Sequence, residues 1–245
     1  MKLNHPLVSI TGVAMAIGAA HLGAQPPKEP AKAPPIVTPC PAGQPAAPPS
    51  DAVVLFDGSN LDKWEKVGGG SAAWRVADGA AEVVPGAGNI RTRQSFGDAQ
   101  IHVEFRSPTD GGEGQGRGNS GVYIQSKYEV QVLDSYKNDT YPDGQCGAVY
   151  GQHIPLVNAC RAPGEWQTYD IVFRSAVFNA KGERTAKARV TVFHNGVLIQ
   201  DNVEINGPTG AAAVTVETPG DGPMMLQEHG NKVQYRNVWV RELGK

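Results

Sequence analysis

Apolar and polar residues alternate in short runs along most of this sequence, and turns rich in Gly, Pro, Asn and Asp separate the runs. Alternation with a period of two places the apolar side chains on one face of a β-strand. The clearest run is Ala99–Arg106, and the clearest turn is Asn195-Gly196, a pair typical of two-residue hairpins. With 30 Gly, 19 Pro and few helical patterns in 245 residues, the sequence predicts an all-β fold.

The order of the runs favours a jelly-roll sandwich of two antiparallel sheets. The predicted strands cover residues 52–56, 74–76, 81–84, 89–93, 99–106, 121–125, 128–134, 165–174, 188–194, 197–200, 223–227 and 232–241. Together they predict one folded domain over residues 51–245.

The first 50 residues have a different composition. Residues 1–24 have a weakly basic start, an apolar run over Leu7–Ala20 and small residues before Gln25, a pattern typical of a secretory signal peptide. The apolar run is short for the alternative, a membrane anchor. Residues 25–50 form a Pro/Ala-rich linker. We therefore expect a secreted or periplasmic protein of the cell envelope, with no transmembrane span after signal removal.

Charge and cysteine content limit the possible binding partners, cross-links and metal sites. The formal net charge is -2 and no basic cluster is present, which argues against a nucleic-acid partner. Cys146 and Cys160 flank one loop, so an oxidising compartment would allow a disulfide between them. That bridge would close a loop of about 15 residues and stabilise the fold by about 3 kcal/mol. Cys40 is left over, and the spacing of the three cysteines matches no zinc motif.

The stretch Gly118–Ser135 carries the strongest indication of a binding site. It follows a glycine-rich loop, and in its second strand Tyr128, Val130 and Val132 can face a core. Glu129 and Gln131 then share the opposite face, where they would form the floor of a polar groove. The alternative is a solvated outer face. The same two alternatives, a groove wall and a solvated face, apply to the polar face of Ala99–Arg106.

Six short motifs, taken in order, resemble one known family. They are Leu55-Phe56-Asp57-Gly58 with Trp64, Gly118–Tyr123, Tyr128–Asp134, Gly164–Asp170, Asn195–Val197 and Leu226–Gly230 with Arg236-Asn237-Val238. Together they resemble the 3-keto-disaccharide hydrolase domain family over residues 51–242. The resemblance implies a concanavalin-like β-sandwich and a carbohydrate substrate, a glycoside already oxidised to a ketone at C3 of the sugar.

A ketone at C3 acidifies the hydrogen on C2, so a base can remove it and the aglycone on C1 can leave by β-elimination. Hydration of the resulting enone gives the 3-keto sugar. This route needs a base, a group that stabilises the enolate oxygen and an acid for the leaving group. Glu129 is the leading general base or acid. His153, a histidine in a long loop, is the second candidate for proton transfer.

The predicted substrate-binding residues would hold sugar hydroxyls, polarise the ketone or stack on a sugar face; they are Arg117, Asn119, Gln131, Trp166, Gln227 and His229. Four of them also have a structural alternative. Asn119 can hold a turn, Gln227 and His229 can cap the last hairpin, and Trp166 can pack in the core. No cofactor is predicted, although a cluster of Glu, His and Gln side chains could also bind a divalent cation.

Two other functions stay open. Retaining glycosidases on similar sandwiches carry carboxylates at alternate positions of one strand, but here those positions hold Glu129, Gln131 and Leu133. One strand therefore does not supply the pair of carboxylates that a conventional endo-glycosidase needs. The other alternative is a non-catalytic carbohydrate-binding module, because the same sandwich hosts lectins. The sequence does not determine the oligomeric state.

Overall fold

The computed structural model describes residue 33 and residues 47–244. The predicted signal peptide, most of the predicted linker and Cys40 lie outside the described residues. Within the part that is described, no helix has both the length and the apolar character needed to cross a membrane.

The domain is a β-sandwich of two antiparallel sheets, which confirms the predicted concanavalin-like jelly-roll architecture. Its strands in chain order are β1 (Val53–Phe56), β2 (Trp64–Lys66), β3 (Arg75–Ala77), β4 (Ala80–Glu82), β5 (Ile90–Phe96), β6 (Ala99–Arg106), β7 (Ser120–Ile124), β8 (Tyr128–Val132), β9 (Gln167–Arg174), β10 (Val177–Phe178), β11 (Arg184–Ala186), β12 (Arg189–His194), β13 (Val197–Glu204), β14 (Gly222–Leu226) and β15 (Gln234–Glu242). Short 3-10 helices span Gly114–Gly116 and Pro142–Gly144.

The larger sheet has eight strands in the order β13-β12-β9-β6-β15-β4-β3, with β1 also paired to β15. The smaller sheet has five strands in the order β2-β5-β14-β7-β8, so β8 is its last strand. Strands β10 and β11 form a separate hairpin. Several neighbouring strands, such as β6 and β15 or β5 and β14, are far apart in sequence, and their register therefore depends on which faces the core buries.

Local sequence patterns placed most of these strands correctly. Ala99–Arg106 has the predicted bounds. Asn195 and Gly196 both have positive φ, 53° and 79°, as a type I′ turn between β12 and β13 requires. The core between the sheets takes Tyr128, Val130 and Val132 from β8, the three residues predicted to face it.

The two middle residues of the polar face of β6, His102 and Glu104, lie neither on a solvated face nor on a groove wall. His102 and Glu104 are only 2% exposed and belong to a buried network that links β6, β9 and β15. His102 Nδ1 lies 2.6 Å from Asp170 Oδ1, and Glu104 Oε2 accepts a hydrogen bond of 2.6 Å from Arg236 Nε. Asn237 Nδ2 donates to Glu104 Oε1 at 2.9 Å.

The network favours a protonated imidazole. Burial lowers the pKa of His102, but the hydrogen bonds to Asp170 and Glu104 outweigh this effect and raise that pKa to about 9. For Glu104, burial raises the pKa, and the bonds from His102, Asn237 and Arg236 reverse this, so its pKa lies below the ordinary value. The cluster therefore acts as a charged link between three strands of the larger sheet.

The predicted disulfide is absent from the structure. Cys146 and Cys160 are both buried free thiols. The Cys146 sulfur is 3.0 Å from the hydroxyl of Tyr169. The cysteines do flank one loop, as the sequence indicated, and that loop passes along the edge of β8.

Candidate active site

Strands β7 and β8 bring the central polar residues together. Their antiparallel register pairs Tyr123 with Glu129 and Gly121 with Gln131. Val122 and Val130, the intervening residues, face the core. The alternation of side chains therefore puts the two polar pairs on the opposite face of the smaller sheet.

These side chains form the floor of a cavity of about 210 Å³, and loops on either side complete its walls. Its lining residues are Asn119, Glu129, Gln131, Tyr150, Gly210, Ala211, Gln227 and His229. Asn119 directly precedes β7, and Gln227 directly follows β14, the strand that pairs with β7. The start of β7, the end of β14 and the outer face of β8 therefore all contribute residues to the cavity.

Glu129 is 3% exposed and lies at the centre of the hydrogen bonds in this cavity. The Tyr123 hydroxyl donates to Glu129 Oε2 at 2.7 Å. The backbone nitrogen of Glu129 donates to Thr209 Oγ1 at 3.0 Å, which ties β8 to the loop after β13. Neighbours on β7 and on this loop therefore hold Glu129 in place.

The Gln131 amide gives Glu129 a further hydrogen-bond partner. With its nitrogen towards Glu129, the amide donates to Oε1 at 2.9 Å and to the Ser120 carbonyl at 3.2 Å. The Glu129 carboxylate then has two donors, this amide and the Tyr123 hydroxyl.

Burial makes the Glu129 carboxyl group weakly acidic. Desolvation raises its pKa to about 8, and the hydrogen bond from Tyr123 opposes this shift. A carboxyl group with a pKa near neutral pH can both accept and release a proton during turnover.

The absence of a side chain at Gly121 leaves space for the Glu129 carboxyl group. A Cβ atom at Gly121 would lie 2.3 Å from Glu129 Oε1 and 2.8 Å from Cε2 of Tyr123. Any larger residue would displace one of these groups. Gly121 is thus part of the site through its missing side chain.

Gln227 and Tyr123 extend the hydrogen bonds towards the last hairpin. Gln227 Nε2 donates to the Tyr123 hydroxyl at 3.1 Å. Gln227 is 6% exposed, and its Oε1 has no hydrogen-bond partner among the described residues. An unpaired buried acceptor in a cavity wall suits a ligand hydroxyl, because leaving it unpaired is costly.

A loop segment covers the outer edge of β8 and supplies another wall. Gly147 N donates to the Gln131 carbonyl at 2.9 Å, and Gln131 N donates to the Ala148 carbonyl at 2.9 Å. Tyr150 N donates to the Glu129 carbonyl at 3.2 Å. This pairing brings the Tyr150 side chain to the cavity.

The structure brings five of the eight predicted catalytic or binding residues to this cavity: Asn119, Glu129, Gln131, Gln227 and His229. Glu129, Asn119, Gln131 and Gln227 are buried, and His229 is exposed at the mouth. Their predicted roles are compatible with these positions.

The other three predicted residues lie elsewhere, so the geometry does not support their predicted roles. Arg117 is held by Asp134, with Nε 2.7 Å from Oδ2. Trp166 packs between the guanidinium groups of Arg106 and Arg236, whose carbons lie 4.7 and 4.1 Å from its ring centre.

His153 is also absent from the cavity lining. Its Nε2 lies 2.6 Å from the backbone carbonyl oxygen of Glu204, so the imidazole joins its loop to β13. The sequence suggested a catalytic role because His153 lies in a long loop. In the structure, this histidine instead makes a contact that anchors the loop.

Sequence reasoning missed Tyr123 and Tyr150. Tyr123 carries a readable signal, because it alternates with Gly121 on the face opposite Val122. Tyr150 carries none, because its position depends on the pairing of a loop with β8.

One group among the described residues could hold a metal ion. Ligand atoms of Cys146, Cys160 and His194 lie within 4.8 Å of one another, and all three residues are buried. None of them lines the cavity. Whether the protein uses a cofactor stays a prediction.

Comparison with known proteins identifies the family. A family model described as the 3-keto-alpha-glucoside-1,2-lyase-like domain matches residues 51–241. The chain belongs to this family. This confirms the resemblance that the six sequence motifs indicated.

A solved structure of a candidate glycosyl hydrolase from Parabacteroides distasonis ATCC 8503 is 45% identical, with a TM-score of 0.77, over 87% of this chain and 93% of that one. Two further candidate glycosyl hydrolases from the same organism share the fold, at 21% and 22% identity and TM-scores of 0.59 and 0.53. They cover 79% and 78% of this chain and 94% and 99% of theirs. The search of curated proteins gave no significant match. These matches support a carbohydrate-acting, glycosyl-hydrolase-like protein.

Proposed function

We propose that this protein cleaves 3-keto-glycosides by β-elimination, with Glu129 as the proton-transfer group. The observation that carries the proposal is a single buried carboxyl group in a polar cavity, with a pKa raised by burial to about 8. Family membership supports the substrate class. Elimination next to a ketone needs one base of moderate strength, and it does not need the second carboxylate of a conventional glycosidase.

In the proposed reaction, the Glu129 carboxylate takes the proton from C2 of the sugar. The electrons of that C–H bond form the C2–C3 double bond of an enolate, and the amide donors of Asn119 or Gln131, or His229 at the mouth, stabilise the negative charge on the C3 oxygen. As the C3 carbonyl forms again, these electrons make the C1–C2 double bond of the enone and the C1–O bond breaks. The aglycone oxygen takes a proton from water at the open side of the cavity. The hydroxide then adds to C1, and Glu129 returns its proton to C2.

Gln227 supports recognition of the sugar. Its buried Oε1 is available to accept a hydrogen bond from a ring hydroxyl. A hydroxyl that fills this position satisfies the acceptor, and a deoxy sugar leaves it unpaired.

The decisive test compares a 3-keto-disaccharide with its unoxidised parent, while ultraviolet absorbance reports any enone. We expect cleavage of the keto form alone, with a transient enone. Glu129→Gln keeps the size of the side chain and removes the base, and should lower kcat/KM by about 10²–10⁴-fold. Repeating the assay with a chelator shows whether a bound cation contributes.

Glu165→Gln is the matched control, because Glu165 is an exposed carboxylate outside the cavity lining. It should retain full activity. Unchanged turnover by a folded Glu129→Gln variant would refute the role of Glu129. Sugar binding without cleavage of either substrate would instead identify a binding module, and cleavage of the unoxidised parent would identify a conventional glycosidase.

A further inference from the structure

Two tyrosines form a rim at the mouth of the cavity. Tyr150 is half-buried and lines the cavity, and its hydroxyl lies 2.6 Å from the hydroxyl of Tyr141. The two rings meet edge to face with centres 6.3 Å apart. Tyr141 is 45% exposed, so a large part of its ring is open to solvent beside the cavity.

Tyr150 connects this rim to the floor of the cavity. Its backbone nitrogen donates to the Glu129 carbonyl at 3.2 Å, and its side chain lines the same cavity as Glu129. Because the Tyr150 hydroxyl contacts that of Tyr141, a ligand that fills the cavity and extends past Tyr150 meets the Tyr141 ring.

Two glycines hold the rim in a fixed position. A Cβ atom at Gly144 would lie 2.0 Å from Cε2 of Tyr141, so the ring packs directly on the Gly144 backbone. A Cβ atom at Gly210 would lie 3.5 Å from Cε1 of Tyr150. An exposed aromatic ring that is already fixed loses little conformational entropy when a ligand packs against it.

The volume of the cavity limits how much of a disaccharide it can enclose. Its volume of about 210 Å³ is below the roughly 300–1,000 Å³ of pockets that bury a drug-sized ligand. The space suits one sugar ring. The second ring of a disaccharide must leave through the mouth, where the open ring of Tyr141 offers an apolar surface for the C–H face of a sugar.

We propose that Tyr141, supported by Tyr150, forms a stacking subsite for a ring-shaped leaving group, so that a glycoside with a cyclic aglycone binds more tightly than one with a small alkyl aglycone. This inference rests on the proposed function, because it assigns the cavity to the oxidised sugar and the rim to the group that is released.

The experiment compares two 3-keto-glucosides of the same anomer, one with a second glucose as aglycone and one with a methyl group. For the disaccharide, Tyr141→Ala should raise KM about 5- to 10-fold, since a lost aromatic contact has this magnitude. For the methyl glycoside KM should not change. Tyr141→Phe keeps the ring and should retain most of the affinity for the disaccharide.

Phe193→Ala is the matched control, because Phe193 is an aromatic residue of similar exposure on β12 of the other sheet. Both KM values should stay at the wild-type level in this variant. Equal losses on the two substrates in Tyr141→Ala, or no loss on the disaccharide, would overturn the subsite. Melting curves of the variants establish that each one is folded.

The subsite can also be tested if the protein lacks the proposed activity. If the wild-type protein cleaves neither keto substrate, calorimetry with the unoxidised disaccharide and with methyl glucoside still tests the rim. A preference for the disaccharide that disappears in Tyr141→Ala supports the subsite and overturns only the chemistry. Equal binding of the two sugars refutes the subsite.

Discussion

Two opposing effects set the proton affinity of Glu129. Removal from water favours the neutral carboxyl group, and the hydrogen bond from Tyr123 favours the carboxylate. The first effect is larger, so the pKa rises to about 8. If Glu129 is the base, kcat/KM should increase with pH and level off above about 8, because only the carboxylate can take the proton.

Tyr123→Phe isolates the smaller of these effects. The substitution removes the hydroxyl that donates to Glu129 Oε2 and keeps the ring. We expect the midpoint of the kcat/KM profile to move to higher pH by about one unit, because the carboxylate loses a hydrogen bond. The measurement is the pH dependence of 3-keto-disaccharide cleavage.

Tyr128→Phe provides the comparison for that profile. Tyr128 is the next tyrosine along the chain, is equally buried, and also donates to a carboxylate, Glu217, at 2.6 Å. Its ring faces the core, so this variant should keep the wild-type midpoint. A midpoint that is the same in all three proteins would show that Tyr123 does not tune Glu129.

At the scale of strands, the charged network of β6, β9 and β15 makes stability depend on pH. The pKa of His102 is about 9 in the folded protein, above the value of about 6.5 for an unfolded histidine. Its stabilising contribution is therefore complete below about pH 6.5 and disappears as the pH rises through about 9. The contribution amounts to about 3 kcal/mol.

Denaturant unfolding of wild type and His102→Gln at several pH values checks this. The difference in unfolding free energy between the two proteins should be largest near pH 6 and should shrink by about 3 kcal/mol towards pH 10. His153→Gln, which alters a histidine bonded to a backbone carbonyl, should show no such trend. A pH-independent difference for His102→Gln would exclude a proton-linked role.

Local sequence patterns predicted some of the strands and missed others. The strand Ala99–Arg106 was predictable because alternation is a local pattern, and the β12–β13 hairpin was predictable from its turn residues. The three-residue strand Trp64–Lys66 was missed, since so short a segment is defined by its partner. Site residues follow the same rule.

Glu129 and Gln131 were identified from their shared face on one strand, a relation that sequence spacing reveals. Arg117 and Trp166 lie outside the cavity lining, because their partners decide their positions. Asp134 binds the first, and Arg106 and Arg236 enclose the second. The burial of His102 likewise depends on Trp239, whose ring stacks on it with centres 5.1 Å apart.

For the whole molecule, we propose export, as the composition of residues 1–24 indicates. Expression of the full chain in a bacterial host, followed by mass spectrometry of the mature protein, should show an N-terminus at Gln25. Lys2→Glu with a charged residue introduced in Leu7–Ala20 should block the cleavage. Recovery of an uncleaved full-length chain from the membrane fraction would point instead to an anchor.

The loop segment that pairs with the edge of β8 bears on self-association of the protein. Unpaired strands at a sheet edge are templates for self-association, and a strand with so many inward-facing apolar residues would be a strong one. Because Gly147 and Tyr150 already occupy the hydrogen-bonding groups of Gln131 and Glu129, the strand at the centre of the site offers little to a second chain. The chain's own loop thus shields the β8 edge of the candidate site from edge-to-edge pairing.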